Sequence, residues 1–198
     1  MFALVKDGSI VKMLSGNQGV TIDDIQHPKA IFTLWTKDER EAIGVYEVEM
    51  NNSKKKDEKW YINTDVTYSF GSGKVTGSYG DATARKHADT LFTAQDESDG
   101  KGTEGDVATE GLKTVLIRDV KKSAESELSK TDWYITRKTE KNTAIPSSIT
   151  THRDAVRSKQ SEMETAISNA SDIPALETLY TRNNEGVRPL GDIPQKDF

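Results

Sequence analysis

Two long stretches in the second half of the chain carry apolar residues at helical spacing. In the first stretch, apolar residues recur every four positions, at Leu112, Leu116, Val120, Ala124 and Leu128. In the second stretch they recur every seven positions, at Ile149, Val156, Met163 and Ala170. Each period places its residues on one face of a helix, so the pattern predicts helices over residues 112–129 and 147–170.

A seven-residue repeat is typical of a helix that packs against another helix. Arg153 and Gln160 occupy the companion positions of the repeat in the 147–170 helix, which makes it a weak coiled coil. We therefore expect this helix to pack against the 112–129 helix of the same chain, and self-association through it is the alternative. A short helix capped by Asp172 is expected to complete a helical domain over residues 112–180.

The first half of the chain has the pattern of strands joined by tight turns. Asp7-Gly8 lies between two apolar runs and predicts a hairpin, because glycine tolerates the positive φ angle that such turns need. Gly71-Ser72-Gly73 predicts a second turn, and apolar residues alternate with glutamates over residues 45–50, as in a half-buried strand. Residues 1–80 are thus expected to form a small, mainly antiparallel β domain.

One short helix is expected within this β domain. Residues 31–35 are apolar enough for a strand, and Thr36 follows them. Glu39 lies three residues after Thr36, which is the spacing of a capping box, and Gly44 would end the helix that begins there.

Two further segments are predicted between the β domain and the helices. Residues 81–95 are expected to form a helix, because Asp81 can cap it and its apolar residues would share a face. These residues are Ala84, Ala88, Leu91 and Phe92. Residues 96–111 are rich in glycine and contain six acidic residues but one lysine, Lys101, which predicts a mobile linker.

The last part of the chain, residues 181–198, contains two glycines and two prolines and cannot form regular structure. We predict an extended tail that stays mobile until a neighbouring protein covers it, because ordering it costs backbone entropy. Its apolar anchors are interface candidates: Val187, Leu190, Ile193 and Phe198.

Composition excludes several classes of protein. The chain has 198 residues, no cysteine and a net charge of −5, so disulfides, thiolate catalysis and Cys-ligated zinc are excluded. The net negative charge argues against nucleic acid as the main partner. No apolar run approaches the length of a transmembrane helix, so no membrane partner is expected.

No motif for catalysis, a cofactor or a metal stands out in the sequence. Phe70-Gly71-Ser72-Gly73-Lys74 resembles the end of a phosphate-binding loop, but Tyr68 and Val75 stand where that motif needs Gly and Ser or Thr. The acidic segment lacks the Gly and Glu of a calcium loop, and His27, His87 and His152 are far apart. We therefore expect a non-enzymatic protein with no catalytic, cofactor-binding or metal-binding residues.

Trp133, Tyr134 and Ile135 form an apolar run that is closed by Arg137, between the two long helices. One interpretation is an aromatic brace in which buried Trp133 holds the corner and Arg137 pairs with Glu140 or lies over a ring. The other is an interface in which Trp133 and Arg137 contact a partner, since Trp and Arg often dominate interfaces.

The same region resembles a group of bacteriophage tail proteins that includes tail-fibre assembly proteins and baseplate-associated structural proteins. The resemblance lies in TDWYITRKTE and AIPSSITTHRDAVR, and the opening FALVKDGSIVK and the stretch TLWTKDEREAIGVYEV resemble the small N-terminal domain of such proteins. The matching residues are Asp132, Trp133, Arg137, Glu140, Ile145, Pro146, Arg153, Ala155 and Arg157.

The resemblance implies a virion structural protein at the baseplate or at the attachment of the tail fibre. Such a protein would be made in the host cytoplasm and would contact other fibre or baseplate subunits in the virion. A tail-fibre assembly chaperone is the alternative within the group. A glycan-binding module that uses Trp60 and Tyr61 is an alternative from outside it.

Overall fold

The computed structural model describes residues 1–196 and divides the chain into two compact units, of which the second begins at Ala84. The predicted α+β class is confirmed, since strands dominate the N-terminal half and helices the C-terminal half. The first unit ends at Thr83, close to the predicted boundary at residue 80.

The first unit contains short strands and two short helices. They are β1 (Phe2–Lys6), β2 (Ser9–Leu14), β3 (Val20–Ile22), β4 (Ile25–His27), α1 (Ile31–Leu34), α2 (Lys37–Ala42), β5 (Val45–Asn51), β6 (Tyr61–Ile62), β7 (Thr67–Gly71) and β8 (Lys74–Ser78). A further short strand, β9 (Thr83–Ala84), lies at the division between the units.

Five of these strands form one sheet in the order β2-β1-β5-β8-β7. Its pairs are antiparallel except β5 and β8, which are parallel. The edge strands β2 and β7 also contact each other, so the sheet curls on itself. Successive residues of the interior strand β1 enter two different cores, with Leu4 in one and Ala3 and Val5 in the other.

Both predicted hairpin turns are confirmed. Asp7 and Gly8 have φ angles of 51° and 74°, and Ser72 and Gly73 have φ angles of 51° and 74°. Positive φ at both central residues matches the right-handed twist of the strands that the turn joins. The glycine-rich stretch before Lys74 is therefore a hairpin turn, as expected.

The predicted strand over residues 31–35 is wrong. The segment forms the single helical turn α1, which closes with the bond from the Leu34 N–H to the Ala30 carbonyl. Ile31 and Phe32 are buried, whereas Leu34 is 79% exposed. Only part of the apolar run therefore contributes to the core. The capping box that follows it is confirmed, because Thr36 and Glu39 exchange both bonds at the start of α2.

The second unit is mainly helical. Its elements are β10 (Thr90–Leu91), α3 (Ala94–Ser98), β11 (Val107–Thr109), α4 (Leu112–Ser129), α5 (Asp132–Lys141), α6 (Ser147–Asn169) and α7 (Ile173–Tyr180). The bounds of α4 match the prediction, and α6 ends one residue before the predicted end. Asp172 caps α7 as expected, since its carboxylate accepts the Ala175 N–H.

The expected packing between the two long helices is confirmed. They run antiparallel: Lys113 Nζ donates to the Ser168 carbonyl, while Glu127, near the other end of α4, lies 2.9 Å from His152. The predicted apolar stripe of α6 is buried within the unit at Ile149, Val156, Met163 and Ile167. That stripe is therefore covered by the chain itself.

The predicted helix over residues 81–95 is wrong. Asp81 pairs with Lys54 instead of capping a helix, and Asp89 accepts the Gly111 N–H and the Thr114 hydroxyl. These bonds link residues that are far apart in the sequence, and the periodicity of apolar residues gives no information on them. The segment instead contains the short strands β9 and β10 and reaches the start of the next helix, which begins at Ala94.

The predicted mobile linker over residues 96–111 is also wrong, because this segment is folded within the second unit. Strand β11 pairs with β10, and the Phe92 N–H and carbonyl bond to Asp106 and Gly105. Gly102 lies against the Phe92 ring, where a Cβ would come within 2.4 Å. The acidic residues of the segment also form local bonds. The Asp96 carboxylate accepts the N–H and the hydroxyl of Thr93 and pairs with Lys101, and these contacts lower the pKa of Asp96 to about 2.

The predicted free tail is wrong for the described part of residues 181–198. Leu190 and Ile193 are 2% and 7% exposed, and the Leu190 N–H donates to the Leu179 carbonyl at the end of α7. Arg182 forms two bonds to the carboxylate of Asp192. The segment lacks regular structure, but its Leu190 and Ile193 side chains complete the core of its own unit.

Candidate interaction surface

Helix α5 lies in the corner between the two long helices, where the sequence predicted no helix. None of its ten residues is buried. Asp132 lies in its first turn and Lys138 and Lys141 in its last, which are the favourable positions for charges in the helix dipole. The helix ends at Asn142, which has a left-handed φ angle of 52°. Helix α5 is therefore accessible to solvent along its length, although it begins at the buried corner between α4 and α6.

Trp133, Tyr134 and Arg137 form a cluster on this helix, which we name the aromatic–arginine cluster. The two rings lie 3.7 Å apart between centroids, and the Arg137 guanidinium lies 4.7 Å from the Trp133 ring and 5.2 Å from the Tyr134 ring. Guanidinium groups are attracted to the faces of aromatic rings. Trp133 nevertheless remains 51% exposed, so the cluster holds a large ring at the surface.

The interpretation of Trp133 as a buried brace is wrong, because half of its surface is exposed. Arg137 lies over the rings, as that interpretation allowed, and it forms no ion pair with Glu140. The Nε atom of Arg137 is buried and has no hydrogen-bond partner within residues 1–196. Ile135 on the same helix is also exposed, at 41%.

Arg153 of α6 holds the corner instead. Its Nη1 atom donates to the Leu128 carbonyl, to the Thr131 hydroxyl at 2.7 Å and to the Asp132 carboxylate at 2.8 Å. Arg153 is 8% exposed and Thr131 is fully buried, so water does not compete strongly for these bonds. The three acceptors lie at the end of α4 and the start of α5, and Arg153 therefore fixes the direction in which α5 leaves the corner.

Glu127 forms a second polar anchor at the end of α4. It is 1% exposed, and its carboxylate binds His152 Nε2, Lys130 Nζ and the backbone N–H of Lys196. Burial raises the pKa of Glu127, but hydrogen bonds from Lys130, the Lys196 backbone and His152 outweigh burial and lower the pKa below its ordinary value. This ionised carboxylate joins α4, α6 and the C-terminal segment.

Sequence reasoning missed Arg153 and Glu127 as anchors, although one signal was present. Arg153 occupies a position of the apolar repeat in α6, where a charged residue needs a buried partner. The partners could not be identified, because they lie more than 20 residues away in the chain. Two of the three partners of Glu127, His152 and Lys196, are also distant in the sequence.

The interface candidates of the C-terminal segment have different positions. Leu190 and Ile193 are buried in the second unit and do not offer a free surface. Val187 is 57% exposed. Phe198 lies outside the described residues. Of the six candidates from the sequence, the structure thus brings Trp133 and Arg137 together and separates them from Leu190 and Ile193.

The aromatic residues of the glycan-binding alternative are not presented to solvent. Trp60 and Tyr61 are 3% and 6% exposed, and Lys59 and Lys56 lie over their rings. Sugar stacking needs an accessible ring face, and the structure therefore does not support this alternative. Trp133 offers the more open indole.

The remaining chemistry of the described residues is limited. Within residues 1–196, no three His, Asp or Glu side chains are grouped so that they could hold a metal ion. None of the helices in this part of the chain combines the length and the apolar character that crossing a membrane requires. The aromatic–arginine cluster is therefore the feature that we take as the candidate site.

Comparison of the chain with family models, with curated proteins and with solved structures finds no match.

Proposed function

We propose that this chain is a structural protein of a bacteriophage tail, located at the baseplate or at the attachment of a tail fibre. It acts through protein–protein contacts rather than through catalysis, and helix α5 is its contact surface. The resemblance of residues 131–157 to phage tail proteins supports the setting. The exposed aromatic–arginine cluster within the same residues supports the mode of action.

The observation that carries the proposal is the exposure of Trp133 on a helix with no buried residue. Large aromatic residues and arginines contribute most to the binding energy of many interfaces. An indole that is already stacked with Tyr134 and Arg137 loses little side-chain entropy when a partner covers it. The cluster is thus preorganised for binding.

The position of α5 adds support. Arg153 anchors the first residue of α5 to α6, so the cluster projects from a fixed corner rather than from a mobile loop. Contact surfaces on rigid elements bind with a smaller entropic penalty. A tail protein that must join its neighbours in one orientation benefits from such a fixed surface.

The proposal is tested by incorporation of variants into phage particles. A phage that carries the Trp133→Ala variant should assemble particles with strongly reduced amounts of this protein, measured by mass spectrometry of purified particles. Leu34→Ala is the matched control, because Leu34 is also an exposed apolar residue but lies in the other unit. Normal incorporation of Trp133→Ala would contradict the proposed role of α5.

A further inference from the structure

We infer that the partner of the α5 surface is a second copy of this chain, bound through an antiparallel pair of α5 helices. This inference rests on the proposed function, because it names the partner of the same surface. It follows from the charges on the face of α5 that carries Trp133.

Trp133, Arg137 and Glu140 share one face of α5. They stand at positions i, i+4 and i+7, which repeat along one side of an α-helix. Glu140 is exposed, and Arg137 is half-buried beneath the rings of its own cluster. The face therefore combines a large exposed ring with one positive and one negative charge.

Neither charge is neutralised by the described part of the chain. Within residues 1–196, Arg137 has the two ring contacts but no ion pair, and Glu140 has neither an ion pair nor a side-chain hydrogen bond. The two residues are three positions apart on one helix, yet they do not pair with each other. Both groups thus remain available to groups of opposite charge on another molecule.

When two copies are related by a two-fold axis, the charges on this face of one copy are complementary to those of the other. If two α5 helices pack antiparallel, Arg137 of one copy can lie opposite Glu140 of the second copy, and the reciprocal pair forms at the same time. Antiparallel packing also places the positive end of each helix dipole beside the negative end of the other. One interface thus contains two Arg137–Glu140 ion pairs, so each of these charges in both copies has a partner.

This register places Trp133 at the edge of the contact. Residues that lie opposite each other in the antiparallel pair have numbers that sum to 277, so the two helices overlap over residues 136–141. Trp133 lies beyond the end of the partner's α5, since the helix ends at Lys141 and Asn142 has a left-handed φ angle. The Arg137–Glu140 pairs, rather than the indole, therefore carry the contact.

The pair should be weak as a free dimer. The two helices overlap over residues 136–141, a length of about 9 Å, and such a contact falls below the usual area of a stable interface. In an assembly that holds several copies together, the high local concentration would favour the same contact. Dimerisation should therefore depend on concentration in the free protein.

The test is sedimentation velocity of the full chain over a wide concentration range. The wild type should pass from monomer to dimer as concentration rises. Arg137→Glu and Glu140→Arg should each weaken dimerisation by about tenfold or more, because each places like charges opposite one another. The double variant Arg137→Glu/Glu140→Arg should restore most of the affinity, because it restores both reciprocal pairs.

Lys138→Glu is the matched control, because Lys138 is an exposed charge of α5 on a different side of the helix. It should leave dimerisation unchanged. A wild type that stays monomeric, or a double variant that is no better than the single variants, would overturn the inference.

The two proposals can fail separately. If the free protein is monomeric but Trp133→Ala is excluded from particles, α5 binds a different tail protein and the proposed function stands. If the free protein dimerises through α5 but is absent from particles, the pairing stands and the proposed function fails.

Discussion

Arg153 and Asp132 meet at 2.8 Å between Nη1 and Oδ1, and this contact ties the first residue of α5 to the middle of the second unit. Asp132 immediately precedes Trp133, so the contact determines where the exposed indole is presented. The same nitrogen also bonds Thr131 and the last turn of α4. A buried arginine, rather than a buried tryptophan, therefore stabilises the corner between the long helices.

We expect Arg153→Ala to destabilise the chain by about 2–4 kcal/mol, because it removes a buried side chain that donates to the fully buried Thr131 hydroxyl and to the Leu128 carbonyl. Asp132→Asn should cost less than about 1 kcal/mol, since Asp132 is exposed and Arg153 keeps two acceptors. Urea unfolding of both variants measures the difference. Equal losses would show that the ion pair, rather than the buried hydrogen bonds, holds the corner.

Trp133→Ala should change the stability of the free protein by less than about 1 kcal/mol, because half of the ring is exposed and its helix buries no residue. Leu176→Ala is the comparison, and it should cost about 2–5 kcal/mol because Leu176 is completely buried. Thermal melting of both variants provides the measurement. A loss at Trp133 as large as that at Leu176 would restore the brace interpretation.

Leu190→Ala should destabilise the protein by about 2–4 kcal/mol, since Leu190 is 2% exposed within the second unit. Val187→Ala, three residues earlier in the same segment, should have little effect because Val187 is 57% exposed. Chemical denaturation of the two variants measures this contrast. If both substitutions were silent, the C-terminal segment would be a free tail, as the sequence predicted.

Glu127 should contribute a pH-dependent part of the stability. Its pKa is lowered in the folded chain from an ordinary value of 4.5, so its contribution is complete above 4.5 and is lost as pH falls through the folded pKa. Glu127→Gln should be less stable than the wild type at about pH 5, and the gap should shrink as the pH is lowered. Urea midpoints of the two proteins at each pH measure the gap. A gap that stays constant with pH would show that the charge of Glu127 contributes nothing.

The elements that the sequence predicted well are those set by local rules. The spacing of Leu116, Val120 and Ala124 marked α4, and the capping box of Thr36 and Glu39 marked α2. Asp7-Gly8 marked the first hairpin. Each of these signals depends on residues within a few positions of one another, and tertiary contacts then reinforced them.

The errors over residues 81–111 have a shared physical cause, which is bonding between residues distant in the sequence. Asp89 looked like a helix residue, but its carboxylate is used by Gly111 and Thr114. The acidic segment looked mobile, but its strand β11 pairs with β10, and Phe92 bonds to Gly105 and Asp106. Composition and periodicity contain no information on such pairings.

The candidate site was predicted in part. The sequence singled out Trp133 and Arg137 and left open whether they form a brace or an interface. Their burial depends on whether residues 132–141 form a helix and on the direction in which that helix leaves the corner, which the bond from Arg153 to Asp132 fixes. The exposure of Trp133 therefore required the tertiary structure.

Quantitative mass spectrometry of purified, mature phage particles tests the central claim most directly. A structural protein of the tail should be present in a fixed copy ratio to the other tail proteins, and the ratio should not change after further purification. Absence of the chain, or an amount far below that of the fibre and baseplate subunits, would contradict the claim. An assembly chaperone that leaves before the particle is complete would give that second result.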